Sequence, residues 1–258
     1  MKIAIVTGAS SGLGYEFVNQ IPHLYKDLDE VWVIARREEV LQKLKEKSST
    51  YIRVFAGDLK DNLVYNQVLN RLENQSPDIR MLVNSAGFGK IGNVEEIAAV
   101  DKNTQQDMID INCRALTKMT ALCLPYMSKG SRIINIASAA AFCPQAGFAV
   151  YAATKSYVLS FSRALKEELV AKDIYVTAVC PGPVDTGFFD VSGPLEIASK
   201  KAMLSQPEDV VRQALIDAKD KKVISVYGMP MKAAKVAAKL FPEQFSVRFM
   251  QKFNLIQK

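Results

Sequence analysis

Short apolar runs alternate with longer stretches of helical period along most of the chain. The runs Lys2–Thr7, Glu30–Ala35, Tyr51–Ala56, Met81–Ser85, Ser131–Ala137, Ile174–Cys180 and Lys222–Tyr227 predict strands. Several are almost wholly apolar, as strands covered on both faces should be. Between them, Leu13–Ile21, Glu38–Glu46, Leu63–Asn74, Asp101–Met127, Tyr151–Ala171 and Pro207–Lys219 repeat apolar residues at helical spacing. Such alternation implies right-handed crossovers and the α/β class, a doubly wound parallel sheet of about seven strands flanked by helices. No repeat and no Pro/Ser-rich linker interrupts it, so a single domain over 1–258 is expected, with 228–258 as a C-terminal amphipathic helical extension. The stretch Gly182–Gln206 has no clear period and holds Gly182, Pro183, Gly187, Gly193 and Pro194. An irregular segment of that length reads as a functional lid.

Composition narrows the chemistry. Of the 258 residues, 49% are hydrophobic and 23% charged, the ordinary soluble range, and a core of this size needs no disulfide staples. Cys113, Cys123, Cys143 and Cys180 are scattered without metal-site spacing, which points to reduced thiols and a cytoplasmic setting. His23 is the only histidine, so neither a histidine-based triad nor a multi-histidine metal centre is expected. The opening apolar run is too short for a signal peptide, and no later run is long enough to span a bilayer.

Two stretches carry candidate chemistry. Strand one runs into Thr7-Gly8-Ala9-Ser10-Ser11-Gly12-Leu13-Gly14 and then a helix. Glycines there allow a tight turn and a close approach of backbone to a pyrophosphate at the helix N-terminus. The second stretch is Tyr151-Ala152-Ala153-Thr154-Lys155, with Ser138 thirteen residues before it. Tyr151 and Lys155 fall one helical turn apart on one face. An ammonium so placed favours the phenolate, so the tyrosine pKa is expected to drop toward neutrality and the phenol to act as general acid or base. Ser138 offers a hydroxyl to hold a substrate oxygen beside it.

Taken with Asp58-Leu59, Asn84-Ser85-Ala86-Gly87, Asn112 and Pro181-Gly182-Pro183-Val184-Asp185-Thr186, in that order, these motifs make the chain resemble the short-chain dehydrogenase/reductase family over about its first 190 residues. The second residue of Asn84-Ser85 departs from the asparagine common there. The resemblance implies a Rossmann fold, NADP or NAD as cofactor, and interconversion of a ketone or aldehyde with its alcohol. It also implies roles. Tyr151 is the proton donor or acceptor. Lys155 binds the nicotinamide ribose and tunes the tyrosine. Ser138 holds the substrate oxygen, and Asn112 holds a water that links Lys155 to solvent. Gly8, Ser10, Ser11, Gly12, Leu13 and Gly14 form the cofactor loop. Asp58 and Leu59 meet the adenine, Asn84, Ala86 and Gly87 close over its ribose, and Pro181, Gly182, Val184 and Thr186 line the nicotinamide. A satisfied mid-helix amide is the alternative for Asn112.

NADP is expected over NAD. Strand two ends in Ala35, where an acid would otherwise repel a 2′-phosphate, and Arg36 and Arg37 follow. A guanidinium suits phosphate by charge and bidentate geometry. Arg36 is the expected contact, Arg37 is expected to face solvent, and Ser10 and Ser11 add hydroxyls. For the substrate, Ser138, Gln145, Tyr151 and Phe188, with Phe88, Phe142, Phe148 and Phe189, predict a nearly uncharged, aromatic pocket and an apolar carbonyl or alcohol.

The tail is basic. Lys232, Lys235, Lys239, Arg248, Lys252 and Lys258 face one acid, Glu243, and put +5 of the net +6 on residues 228–258. In Lys232–Leu240 the lysines recur opposite Val236 and Leu240, and Phe245, Phe249, Phe253 and Ile256 follow as a second stripe. Three readings stay open for it: a cap on the pocket, an interface in a homodimer or homotetramer, or peripheral contact with a membrane surface. Without a recognised module the charge gives no case for nucleic acid. The alternative to an enzyme is a non-catalytic NADP-sensing regulator on the same fold. An intact Ser138, Tyr151, Lys155 and Asn112 set argues against it, because a sensor needs no proton donor.

Overall fold

The computed structural model describes residues 1–193 and 204–240. The apolar runs become β1 (Lys2–Thr7), β2 (Glu30–Ala35), β3 (Tyr51–Ala56), β4 (Asp78–Asn84), β5 (Arg132–Ile136), β6 (Tyr175–Val179) and β7 (Ile224–Ser225). They form one seven-stranded sheet in the order β3-β2-β1-β4-β5-β6-β7. Every neighbouring pair is parallel. The expected doubly wound sheet is therefore present.

Alternate residues of each strand serve opposite faces, as the two-residue side-chain period requires. Ala4, Val6, Val31 and Val33 pack against α1 (Gly12–Leu24), α2 (Glu38–Lys47) and α9 (Pro207–Lys219). Ile3, Ile5, Trp32 and Ile34 pack on the other side against α3 (Asn62–Gln75), α6 (Leu116–Cys123) and α7 (Ala149–Glu168). Trp32 is wholly buried, its ring 5.2 Å from that of Phe55.

The helical pattern 101–127 is not one helix. It is α5 (Thr104–Ile109), a π-helical turn Asp110–Ala115, α6, and a 3₁₀ turn Leu124–Tyr126. Sequence reading also missed α4 (Val94–Val100), which opens on a capping box between Asn93 and Glu96. The stretch expected to be irregular contains a short helix, α8 (Phe188–Ser192); positions 194–203 of it lie outside the described residues. The tail begins with α10 (Met229–Leu240). The second apolar stripe, Phe245 to Ile256, also lies outside the described residues.

Candidate active site

A cavity of about 1320 Å³ opens along the carboxyl edge of the sheet. Gly8, Arg36, Gly57, Ser85, Ala137 and Pro181, each just beyond a strand, contribute to its wall. The chain reverses direction across the sheet between β1 and β4, and such a switch point leaves a crevice at the strand ends.

One half of the cavity is built on the glycine loop. Gly8, Ser10, Ser11, Gly12 and Leu13 line it. Ser11 occupies the N-cap of α1 but makes no side-chain cap bond, so the first N–H groups of the helix keep their donor capacity at the cavity. Gly14 does not line the cavity, contrary to its expected role. A Cβ there would sit 2.3 Å from the Gly8 carbonyl oxygen, so this glycine lets α1 pack onto the loop. Thr186 reaches across from the far wall toward Gly12. Thr7 Oγ1 accepts from the backbone N–H groups of Ser85 and Ala86, both at 3.1 Å, and so ties β1 to the loop after β4.

Asp58, Leu59, Ala86, Gly87, Pro181, Gly182, Val184 and Thr186 lie on the wall as expected, but Asn84 does not. Its amide is buried and donates to Thr120 Oγ1 at 3.0 Å and Asn135 Oδ1 at 2.9 Å, so it clamps β4 to β5 and α6. Both arginines are exposed, as expected of Arg37. Both line the cavity, but Arg37 holds the glycine loop. Its Nη2 donates to the Ser10 carbonyl at 2.9 Å and to Ser10 Oγ at 3.1 Å. Arg36 has exposed side-chain surface beside Lys60, which is paired with Asp107 at 2.9 Å.

At the other half, α7 carries Tyr151 and Lys155 into the wall one turn apart. Ser138 follows β5 and caps the 3₁₀ turn Ala139–Phe142, its Oγ accepting from Ala140 N at 3.1 Å. The same side chain hydrogen-bonds Tyr151. Lys155 Nζ donates to the Ile136 carbonyl at 2.8 Å and lies 5.6 Å from the Tyr151 ring centre.

The expected lowering of the tyrosine pKa is not found. Burial pushes Tyr151 up to about 12, against a downward pull from the Ser138 hydrogen bond. Burial lowers Lys155 to about 8, against smaller upward pulls from Cys113 and Cys180. In a dry site each charged form loses its hydration, and that loss outweighs the attraction of one group for the other.

Asn112 sits in the π-helical turn, a feature frequent at functional sites. Both ends of its side chain bond to protein. Oδ1 accepts from Phe88 N at 3.0 Å, while Nδ2 donates to Phe88 O at 2.9 Å and Thr154 Oγ1 at 3.0 Å. The side chain thus fits the satisfied-amide alternative, and its geometry fixes the loop carrying Phe88 beside α7.

Ser138, Gln145, Tyr151 and Phe188, and the other four phenylalanines expected, all line this end. Phe148 stacks on Tyr151 at 4.2 Å between ring centres, and Phe188 of α8 lies at 5.5 Å. Gly89 leaves room for this cluster, since a Cβ there would be 2.8 Å from Tyr151 Cδ2 and 2.9 Å from Phe188 Cζ. Sequence reading missed Ile91, Asp190 and Val191, and the α10 residues Met231, Ala234, Ala237 and Ala238. Alanines give too little hydrophobic contrast to mark a pocket wall in sequence. Of the tail's apolar residues, Val236 is 56% and Leu240 75% exposed.

A glycine-loop crevice at the switch point of an all-parallel sheet is the architecture of dinucleotide-binding enzymes. The family profile described as short chain dehydrogenase matches residues 2–194. The NADP-dependent 3-hydroxy acid dehydrogenase YdfG of Escherichia coli strain K12 is 32% identical over 216 residues, covering 81% of this chain and 85% of that protein. The fold is shared with a short-chain dehydrogenase from Sphingobium yanoikuyae solved in complex with NADPH, at TM-score 0.77 and 23% identity, covering 100% of this chain and 97% of the other. It is also shared with a short chain dehydrogenase/reductase from Burkholderia phymatum solved with NAD, at TM-score 0.78 and 19% identity, covering 95% and 94%. The chain belongs to the short-chain dehydrogenase family and is an oxidoreductase.

Proposed function

We propose that this chain uses NADP(H) to interconvert an apolar ketone or aldehyde and its alcohol, with residues 1–258 acting as one catalytic domain. The observation that carries the reading is the meeting of Ser138, Tyr151 and Lys155 where the glycine-loop half of the cavity joins its phenylalanine-lined half. The bound dinucleotide supplies or takes the hydride. Ser138 Oγ and Tyr151 Oη hold the substrate oxygen, and Tyr151 gives up its proton in reduction and receives it in oxidation. Lys155 favours the phenolate as the proton leaves.

Residues fit the dinucleotide on three counts. The N-terminus of α1 has uncapped donors at the wall, Ala35 puts no acid at the end of β2, and Arg37 is held against Ser10. The last two features favour the 2′-phosphate of NADP, the cofactor on which the relative YdfG depends. For the substrate, Asp190 and Lys155 are the charged side chains at the phenylalanine end among the described residues, and Lys155 is held by the Ile136 carbonyl. The rest of this end is mostly aromatic and apolar, so a neutral apolar substrate fits it better than a carboxylate. A homodimer or homotetramer working in the cytoplasm completes the proposal.

The test is a panel of apolar ketones, aldehydes and alcohols followed at the nicotinamide absorbance with NADP(H) and NAD(H). Tyr151→Phe should lower kcat about 10²–10⁴-fold, the worth of a positioned acid, with NADPH affinity near that of wild type. Retention of more than a small fraction of the rate would remove Tyr151 from the chemistry.

A further inference from the structure

Helix α10 presents two unlike faces. Projected at about 100° per residue, Ala234, Ala237, Ala238 and Met231 occupy one side of the wheel. All four line the cavity, and Met231 also packs on the cluster of Leu116, Ala137, Val158, Cys180 and Val226. On the opposite side Met229, Ala233, Val236 and Leu240 fall within an arc of about 60°. Met229 is 76% exposed, Val236 56% and Leu240 75%. Lys232 lies about 40° outside that arc and Lys235 about 100° outside it on the same side. Lys235 is half-buried with its charge felt at Cys180, and Met229–Leu240 contains no acidic residue. A stripe of large apolar side chains therefore faces outward beside Lys232. Ala234 is both exposed and on the cavity wall, so the mouth of the cavity lies at this helix.

The geometry points to α10 as a docking helix for an anionic lipid surface. Apolar side chains flanked by lysines are the arrangement that lies in the headgroup region, with apolar burial and charge attraction adding together. Charge selects lipid over a second copy of this face, since isologous pairing would bring like-charged lysines together. Docked this way, the cavity mouth opens at the bilayer surface, where apolar molecules partition. That last consequence rests on the proposed oxidoreductase reading, whereas the docking itself does not.

Sedimentation of the full chain with phosphatidylcholine vesicles, with and without phosphatidylglycerol, tests the idea without cofactor or substrate. It therefore stands or falls separately from any enzyme assay. Binding should require the anionic lipid and weaken as salt rises from about 50 to 500 mM, where screening shortens. Lys232→Glu should weaken it by at least about fivefold, the worth of one lysine at the surface. Val236→Ser with Leu240→Ser should weaken it as well. These side chains lie off the cavity wall, so melting temperature and NADPH titration should stay at wild-type values in both variants. Absence of sedimentation at low salt, or equal binding to neutral and anionic vesicles, would overturn the proposal. A drop in solution mass on Val236→Ser/Leu240→Ser would overturn it in favour of a subunit interface.

Discussion

Lys155→Met should change how the stability of the unliganded protein depends on pH. Lys155 is 5% exposed and its pKa is depressed to about 8, chiefly because burial strips the ammonium of water. In the unfolded chain a lysine titrates near 10.4. Below about pH 8 both states are protonated, and the fold carries the full burden of a buried charge. Between about pH 8 and 10.4 the unfolded chain binds a proton that the folded chain has released, so unfolding free energy rises with pH across that window. Two units of depression correspond to roughly 3 kcal/mol. Methionine has similar length but no charge, so this slope should vanish. Removing the donor to the Ile136 carbonyl lowers stability by about 1–3 kcal/mol, but equally at every pH. Lysines whose pKa is raised by surface pairs, such as Lys60 and Lys222, titrate alike in both proteins and cancel in the difference. Tyr151 opposes only above about pH 10, where the unfolded chain loses a phenol proton that the fold retains. The measurement is urea unfolding from pH 7 to 10, followed by the fluorescence of Trp32, the sole and wholly buried tryptophan. Wild type should gain about 1–3 kcal/mol on Lys155→Met over that range, or about 4–8 °C in Tm for 2 kcal/mol. Parallel profiles would refute the desolvation argument.

Other expectations follow from the same geometry. Arg37→Ala should weaken NADPH about 10–100-fold, the worth of a lost charge-assisted contact, and leave NADH nearly unchanged by calorimetry, with Arg36→Ala the milder change; the reverse order would return the phosphate to Arg36. Gly89→Ala drives a methyl against Tyr151, Phe148 and Phe188. It should destabilise by about 1–3 kcal/mol and depress turnover while sparing NADPH affinity, and wild-type kinetics would show that the ring cluster yields freely. Truncation after Tyr227 strips Met231 from the cluster of Leu116, Ala137, Val158, Cys180 and Val226 and removes a cavity wall. Calorimetry should show a lower Tm and the substrate panel a changed range, and an unaltered panel would deny α10 any part in the pocket.

Much of this was legible in the chain because strands buried on both faces cannot disguise their composition. β1, β2 and β3 begin and end where the apolar runs do. β4 starts earlier than expected because Asp78 and Ile79 pair with Lys2 and Ile3 at a sheet end, where polar residues reach water and break the run. β7 shrinks to two residues at the sheet edge, where β6 is its only partner among the described residues. The π-helical turn escaped because one widened turn leaves the apolar period nearly intact on either side. The α4 capping box was readable in Asn93 and Glu96 and was overlooked. Period alone identified an apolar stripe in the tail but not its direction, since inward-facing alanines look weaker than outward-facing Val236 and Leu240. Nor does sequence order say which of two adjacent arginines turns back onto the loop.

The tyrosine exposes a different limit. Spacing correctly places an ammonium one turn from a phenol, and Coulomb's law alone then lowers the phenol. What spacing cannot supply is the dielectric. Phe148, Phe188 and the close-packed wall dry the site, so phenolate and ammonium are both penalised before they attract, and the Ile136 carbonyl competes for the amine. The unliganded site therefore keeps the Tyr151 proton throughout the neutral range, the state that the proposed role in reduction requires. Action as a base needs a further positive charge or a reopening to water near the phenol. Reduction should thus tolerate acid and neutral pH alike, while oxidation should quicken with rising pH. Initial rates in both directions between about pH 6 and 10 separate the two cases, and an oxidation rate flat across that range would show that something other than Lys155 had already drawn the phenol down.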